Sequence, residues 1–174
     1  MGLGQTMMTV LAMGMLATVM LTVNTNTQDA NNAVQISQYR IMAASLATST
    51  IQRATGLAFD ENTLNSPVND VTGLSSTLGR ETGEVDSLEN TFDDFDDYNG
   101  FHKWVKGDSL FFRSADFYVW AKVDYVQITG NAVVQTAALG TTRSYSKRIQ
   151  VWVASPFMSD TVTESTVYSY WYFR

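Results

Sequence analysis

The chain opens on a long apolar stretch. Leu3 to Val23, 21 residues, is almost wholly Met, Leu, Val, Ala, Thr and Gly, and no Asp, Glu, Lys or Arg occurs before Asp29. As a helix rising about 1.5 Å per residue, it reaches roughly 32 Å, one hydrocarbon thickness of a bilayer. Thr6, Thr9, Thr18 and Thr22 are compatible with that helix, because a hydroxyl can bond back to a carbonyl of the preceding turn. After a polar interval, Asn24 to Asn32, a stripe resumes at Ala33, Ile36, Tyr39, Arg40, Ala43, Ala44, Ala47, Ile51 and Ala54. Spacings of three and four predict a narrow, Ala-rich amphipathic face. Gly56 supplies a C-terminal stop after Thr55. The pattern predicts one helix of about 50 residues, weakest at Asn24–Asn32 where Asn and Thr have poor propensity.

The period changes to two near Ser109. Phe117, Val119, Ala121, Val123 and Tyr125 alternate with Tyr118, Trp120, Lys122, Asp124 and Val126. Ile149, Val151 and Val153 alternate with Arg148, Gln150 and Trp152, and Thr166 to Phe173 is rich in Tyr and β-branched residues. These read as strands. Thr129-Gly130-Asn131 and Leu139-Gly140-Thr141 are turn signals, and short connections favour about four strands in an antiparallel meander. The predicted fold is α+β: a long N-terminal helix, apolar then amphipathic, packed on a C-terminal antiparallel sheet. The expected organisation is a helix over 1–55, a polar and acidic loop region over 56–108 and a sheet domain over 109–174.

Composition sharpens this picture. The 174 residues are 45% hydrophobic and 16% charged, enough apolar surface for one folded domain and too little charge for a disordered chain. Zero Cys excludes a disulfide scaffold, and a net charge of -6 with no basic stripe argues against nucleic-acid binding. Glu81 to Asp97 holds eight carboxylates and no base.

Candidate chemistry is sparse. His102 is the single histidine, no Gly-x-Ser-x-Gly elbow occurs, and no phosphate-cradling Gly-rich loop with a Lys is present, so an enzyme is not expected. Asp93, Asp94, Asp96 and Asp97 are candidate Ca²⁺ ligands, since that hard cation takes several oxygens, but their spacing does not fit an EF-hand. The competing expectation is a solvated acidic turn, bent at Asn99-Gly100, with Phe92, Phe95 and Tyr98 packing inward. Tyr168 to Phe173 is either a glycan platform or a packing strand, and packing is the commoner use. Six Met in the first twenty residues cover all sides of the helix, which suits adaptable packing better than a metal site.

Three placements compete for the apolar stretch. A cleaved signal wants a basic start, which Met1 to Thr6 lacks, and a plain anchor has no flanking cation until Arg40. The third is a helix held in a membrane before assembly and buried against copies of itself afterwards. An apolar half-helix, an amphipathic continuation, a variable loop and an antiparallel sheet together resemble the type IV pilin and pseudopilin family. Met1-Gly2-Leu3-Gly4-Gln5-Thr6 resembles the start of a leader-trimmed subunit, beginning at Met1 or, by a cut after Gly4, at Gln5. Phe92 to Gly100 is similar to an Asp-rich phrase of prepilin-like proteins. Gln5 stands where the family usually has Glu, and Thr22 near where it often has Pro.

The resemblance implies a structural subunit of an extracellular type IV pilus-like filament, held in the cytoplasmic membrane before assembly. Its partners would be further copies of itself, an inner-membrane assembly platform and a prepilin peptidase. Candidate filament-core positions are Met1, Leu3, Gln5, Thr6, Met7, Val10, Leu11, Gly14, Leu16, Val19 and Met20; Gly14, Asn24 and Asn26 are candidates for a melted segment. The alternatives are a minor pseudopilin of a type II-like secretion system and a membrane-anchored surface binding domain. No resident cofactor is expected beyond the Ca²⁺ candidate.

Overall fold

The computed structural model describes residues 2–85, 88–109, 112–113, 115–130, 132–135 and 142–170. Helix α1 runs Leu3–Thr55 without interruption, through Gly14, Asn24 and Asn26. The polar interval holds helical geometry partly by back-bonding: Thr25 Oγ1 donates to Thr22 O at 2.9 Å and Thr27 Oγ1 to Val23 O at 2.7 Å. The chain divides into two compact units, Met1–Gln38 and Tyr39–Arg174.

In the first unit the described chain is helical from Leu3 onward. The second contains the last turns of α1 and a five-stranded antiparallel sheet of order β1-β4-β6-β7, with β5 paired to the far end of β4. The strands are β1 His102–Val105, β4 Phe117–Thr129, β5 Ala132–Gln135, β6 Ser146–Ala154 and β7 Val162–Ser169; β2 Asp108–Ser109 and β3 Phe112–Arg113 form a separate short ladder. β4, β6 and β7 lie side by side and antiparallel as expected, but β5 pairs back onto β4 while β6 also pairs with β4, so the run from β4 to β7 is not the simple meander expected. β1 begins before 109, because its four residues, half of them His and Lys, carry little strand signal until β4 pairs with them.

The helix and sheet fit because the helix presents small side chains. Ala43, Ala47 and Ala54 are fully buried and share one core with Val119, Ala121, Val123, Ile149, Val151 and Val153. Alanines at this seam let the helix backbone approach closely and leave the volume to Phe92, Phe95, Tyr98, Phe101 and Phe117. Within this unit, the Tyr39 ring lies tilted against Phe157 (5.8 Å between centroids) and Arg40 pairs with Asp160 at 3.0 Å.

The alternation in β4 fails near its middle. Asp124 and Val126 are buried although they fall in the outward phase. Asp124 lies between Lys122 (3.0 Å) and Arg148 (3.6 Å), and the Val126 carbonyl accepts from Ser144 Oγ at 2.6 Å.

Candidate functional site

Two features carry the chemistry: an apolar helix surface and an acidic loop folded around one lysine. From Leu3 to Gln35 every residue of α1 is exposed. Twelve large apolar side chains between Leu3 and Val23 are among them, including Leu3, Met7, Val10, Leu11, Leu16, Val19 and Met20. Gln5, Thr6 and Gly14 lie on the same exposed helix, and Met1 falls outside the described residues. By length and composition the helix suffices to cross a membrane. Its hydroxyls are satisfied internally: Thr6 Oγ1 donates to Leu3 O (2.9 Å), Thr9 Oγ1 to Thr6 O (2.8 Å) and Thr18 Oγ1 to Met15 O (2.8 Å).

The acidic run is not the solvated turn expected of it. Asp93 is exposed, but Asp94, Asp96 and Asp97 are fully buried. The expected turn is nonetheless present, with Phe92, Phe95 and Tyr98 inward and Gly100 at φ +79°, a conformation that other residues rarely take. Burial is tolerable because backbone donors and one ammonium meet the carboxylates. Asp94 Oδ1 accepts from the N–H groups of Asp96 (2.7 Å) and Asp97 (3.2 Å), and Asp97 Oδ2 from those of Asp93 and Asp94 (3.0 Å each).

The ammonium is that of Lys147, itself fully buried. Its Nζ donates to Asp60 Oδ2 at 2.8 Å, to the Phe59 carbonyl at 2.7 Å and to Asp96 Oδ1. Asp60 also accepts from Ser75 N (3.0 Å), Ser75 Oγ (2.8 Å), Asn62 N (3.2 Å) and the Tyr125 hydroxyl (3.1 Å). The two carboxylates therefore diverge although they share one lysine. Burial alone would raise Asp60, but the Lys147 charge and the Lys147 and Ser75 hydrogen bonds hold it below the ordinary Asp range. Asp96 has fewer donors, and burial leaves it raised against the pull of Lys147. Asp94 is pushed up to about 9, first by burial and then by the neighbouring Asp96 charge.

Of the four Ca²⁺ candidates, the structure gathers Asp94, Asp96 and Asp97 in one loop, but Asp97 is the one that joins a carboxylate cluster among the described residues. Its companions there are Glu81 and Glu84, not its sequence neighbours.

Sequence reasoning missed Asp60, Ser75, Glu81, Glu84 and Lys147. For Lys147 a signal was present: it extends the inward series Ile149, Val151, Val153 by one step, a charge in the buried phase of a strand. The partners of that charge stand 87 and 51 positions away, beyond any local pattern.

His102 is exposed, with Nδ1 3.2 Å from the Gly100 carbonyl. Tyr168 and Tyr170 turn inward, 5.6 and 5.4 Å from Phe59, while Trp171 to Phe173 lie outside the described residues. The aromatic surface of the sheet is elsewhere: Trp104, Tyr118, Trp120 and Trp152 form a row with centroid spacings of 5.1, 5.5 and 6.0 Å. No family model, curated protein or solved structure matches the chain.

Proposed function

We propose that the chain is the structural subunit of an extracellular type IV pilus-like filament, polymerising through the apolar half of α1. The observation that carries this reading is the twelve exposed large apolar side chains between Leu3 and Val23 on one uninterrupted helix. Full burial of such a side chain contributes roughly 1.5–3 kcal/mol, so about two-thirds of that for twelve gives on the order of 10–25 kcal/mol per subunit. Measured against water, that magnitude makes an aqueous monomer untenable and a finished filament hard to dissociate.

The mechanism is an exchange of environments. The membrane covers this surface before assembly, and neighbouring helices cover it afterwards. Met side chains adapt to either surrounding, and a small residue at Gly14 admits close helix approach. Gln5 can accept from a neighbour's terminal ammonium without contributing charge. The prepilin peptidase, assembly platform and motor of such a system would be supplied by other proteins.

The test is negative-stain microscopy and mass spectrometry on material sheared from producing cells. Thin fibres in which this chain is the main protein are the expected result, and the N-terminal peptide then gives the processing site. The chain remaining in the membrane fraction, with no fibres, overturns the proposal. That outcome would favour a second reading, a membrane-anchored surface binding domain, for which the Trp104–Tyr118–Trp120–Trp152 row is the supporting observation.

A further inference from the structure

We propose that Glu81, Glu84 and Asp97 form a binding site for a hard divalent cation of the Ca²⁺ type, at the junction of the 81–84 turn and the acidic loop. One carboxylate oxygen from each residue lies within 4.8 Å of the other two. Calcium–oxygen distances are about 2.3–2.6 Å, so two ligands on opposite sides of one ion are roughly 4.8 Å apart. The three oxygens therefore already span no more than one coordination sphere.

The independent observation is the state of Asp97. Its side chain is fully buried, and Oδ2 is occupied by the N–H groups of Asp93 and Asp94. The other oxygen, Oδ1, is equally buried and has no hydrogen-bond partner. A buried carboxylate oxygen without a donor is costly, and such atoms in folded proteins call for an ion, a water or a proton. The Glu84 carboxyl is within hydrogen-bond reach of the Asp97 side chain, and Glu81 completes the cluster.

The turn that brings them is built for this approach. Gly83 sits at φ +117°, which only glycine takes readily, and the Glu81 N–H donates to Glu84 Oε2 at 2.8 Å, fixing that carboxylate. The neighbouring Arg80 donates through Nη1 to the backbone carbonyls of Asp97 and Asn99, at 3.2 and 3.0 Å.

All-oxygen, all-carboxylate donors select Ca²⁺ over zinc, which prefers His and Cys. Partial exposure at Glu81 leaves room for the waters that complete six to eight ligands, whereas Mg²⁺ requires a stricter octahedron. A proton shared between Glu84 and Asp97 is the competing way to satisfy the orphan oxygen. The site is independent of whether the chain polymerises.

The test uses the full chain in detergent micelles, stripped with EGTA and titrated with CaCl₂ by calorimetry at neutral pH. Saturable one-site binding with a Kd of about 10⁻⁴–10⁻³ M, the class of extracellular modules, is expected. Glu81→Gln and Glu84→Gln should each weaken it about tenfold or more, while leaving the urea midpoint in EGTA no lower than wild type. The Ca²⁺-induced rise in that midpoint should disappear in both variants. No saturable binding up to about 10 mM Ca²⁺, well above that Kd class, overturns the proposal in favour of the shared proton. Binding that survives the double variant overturns it in favour of another place on the acidic surface.

Discussion

Replacing Lys147 by Met keeps the length and most of the volume of the side chain and deletes its charge. Three acceptors then lose their donor: Asp60 Oδ2, the Phe59 carbonyl and Asp96 Oδ1. At 2.8 Å the Asp60 pair is worth about 6 kcal/mol at an effective dielectric of 20. Desolvation of both ions cancels much of that. Removing one partner of such a buried pair nevertheless typically destabilises by about 3–5 kcal/mol, because the other charge is stranded.

The loss should fall unevenly. Asp60 keeps donors from Asn62, Ser75 and Tyr125, whereas Asp96 keeps only the neighbouring Asp94 carboxyl, its Oδ2 being already without a partner. In the Lys147→Met background, Asp96→Asn should therefore restore about 1–2 kcal/mol, and Asp60→Asn distinctly less. The assay is urea unfolding of the full chain in detergent, read by the fluorescence of Trp104, Trp120 and Trp152. With a slope near 1.5 kcal/mol/M, a loss of 4 kcal/mol lowers the midpoint by about 2–3 M. A loss under about 1 kcal/mol for Lys147→Met, or equal rescue by the two Asn changes, would refute the reasoning.

Four further outcomes follow from the same structure. Asp60 has a lowered pKa, so its ionisation stabilises the fold above the ordinary Asp range and that contribution fades as pH drops through the lowered value. The stability gap between wild type and Asp60→Asn should be constant above about pH 4 and close below it; a gap that widens in acid contradicts the assignment. Gly100→Ala places a Cβ at φ +79° and 3.6 Å from the Arg80 guanidinium, and should lower stability by about 1–2 kcal/mol by the same urea assay. Leu11→Arg adds about 2.5–3.5 kcal/mol to membrane insertion and should shift the chain out of the carbonate-resistant membrane fraction, whereas Leu11→Ala should not. Trp120→Ala breaks the row on both sides and should cost about 1–3 kcal/mol, with a change in the near-ultraviolet dichroism of the stacked Trp120–Trp152 pair.

What the sequence disclosed and what it hid divide by range. The helix was legible because its signal is local: Ala43, Ala47 and Ala54 recur at helical spacing and all three are buried. Strands β4 and β6 were legible for the same reason, and so was the turn at Gly100. The short strand β1 was not, since His102 to Val105 becomes a strand by pairing with Phe117 to Trp120. The acidic run was misread as solvated because composition cannot reveal that a lysine fifty residues later points into it. Likewise Glu81 and Glu84 meet Asp97 through a glycine turn whose direction no periodicity encodes.

The buried lysine also constrains how the strands can align. β6 pairs on both sides, with Lys147 opposite Tyr125 of β4 and opposite Tyr168 of β7. Val119, Val123, Ile149, Val151 and Val153 are near-interchangeable aliphatic shapes, so packing alone discriminates weakly between this alignment and one displaced by two residues. A displacement by one would turn every side chain of β6 to the opposite face. Either slip carries the Lys147 ammonium away from Phe59, Asp60 and Asp96, stranding two carboxylates in the interior at a cost of several kcal/mol. The charge thus works as an index pin: a sheet whose aliphatic face would tolerate several offsets is left with one.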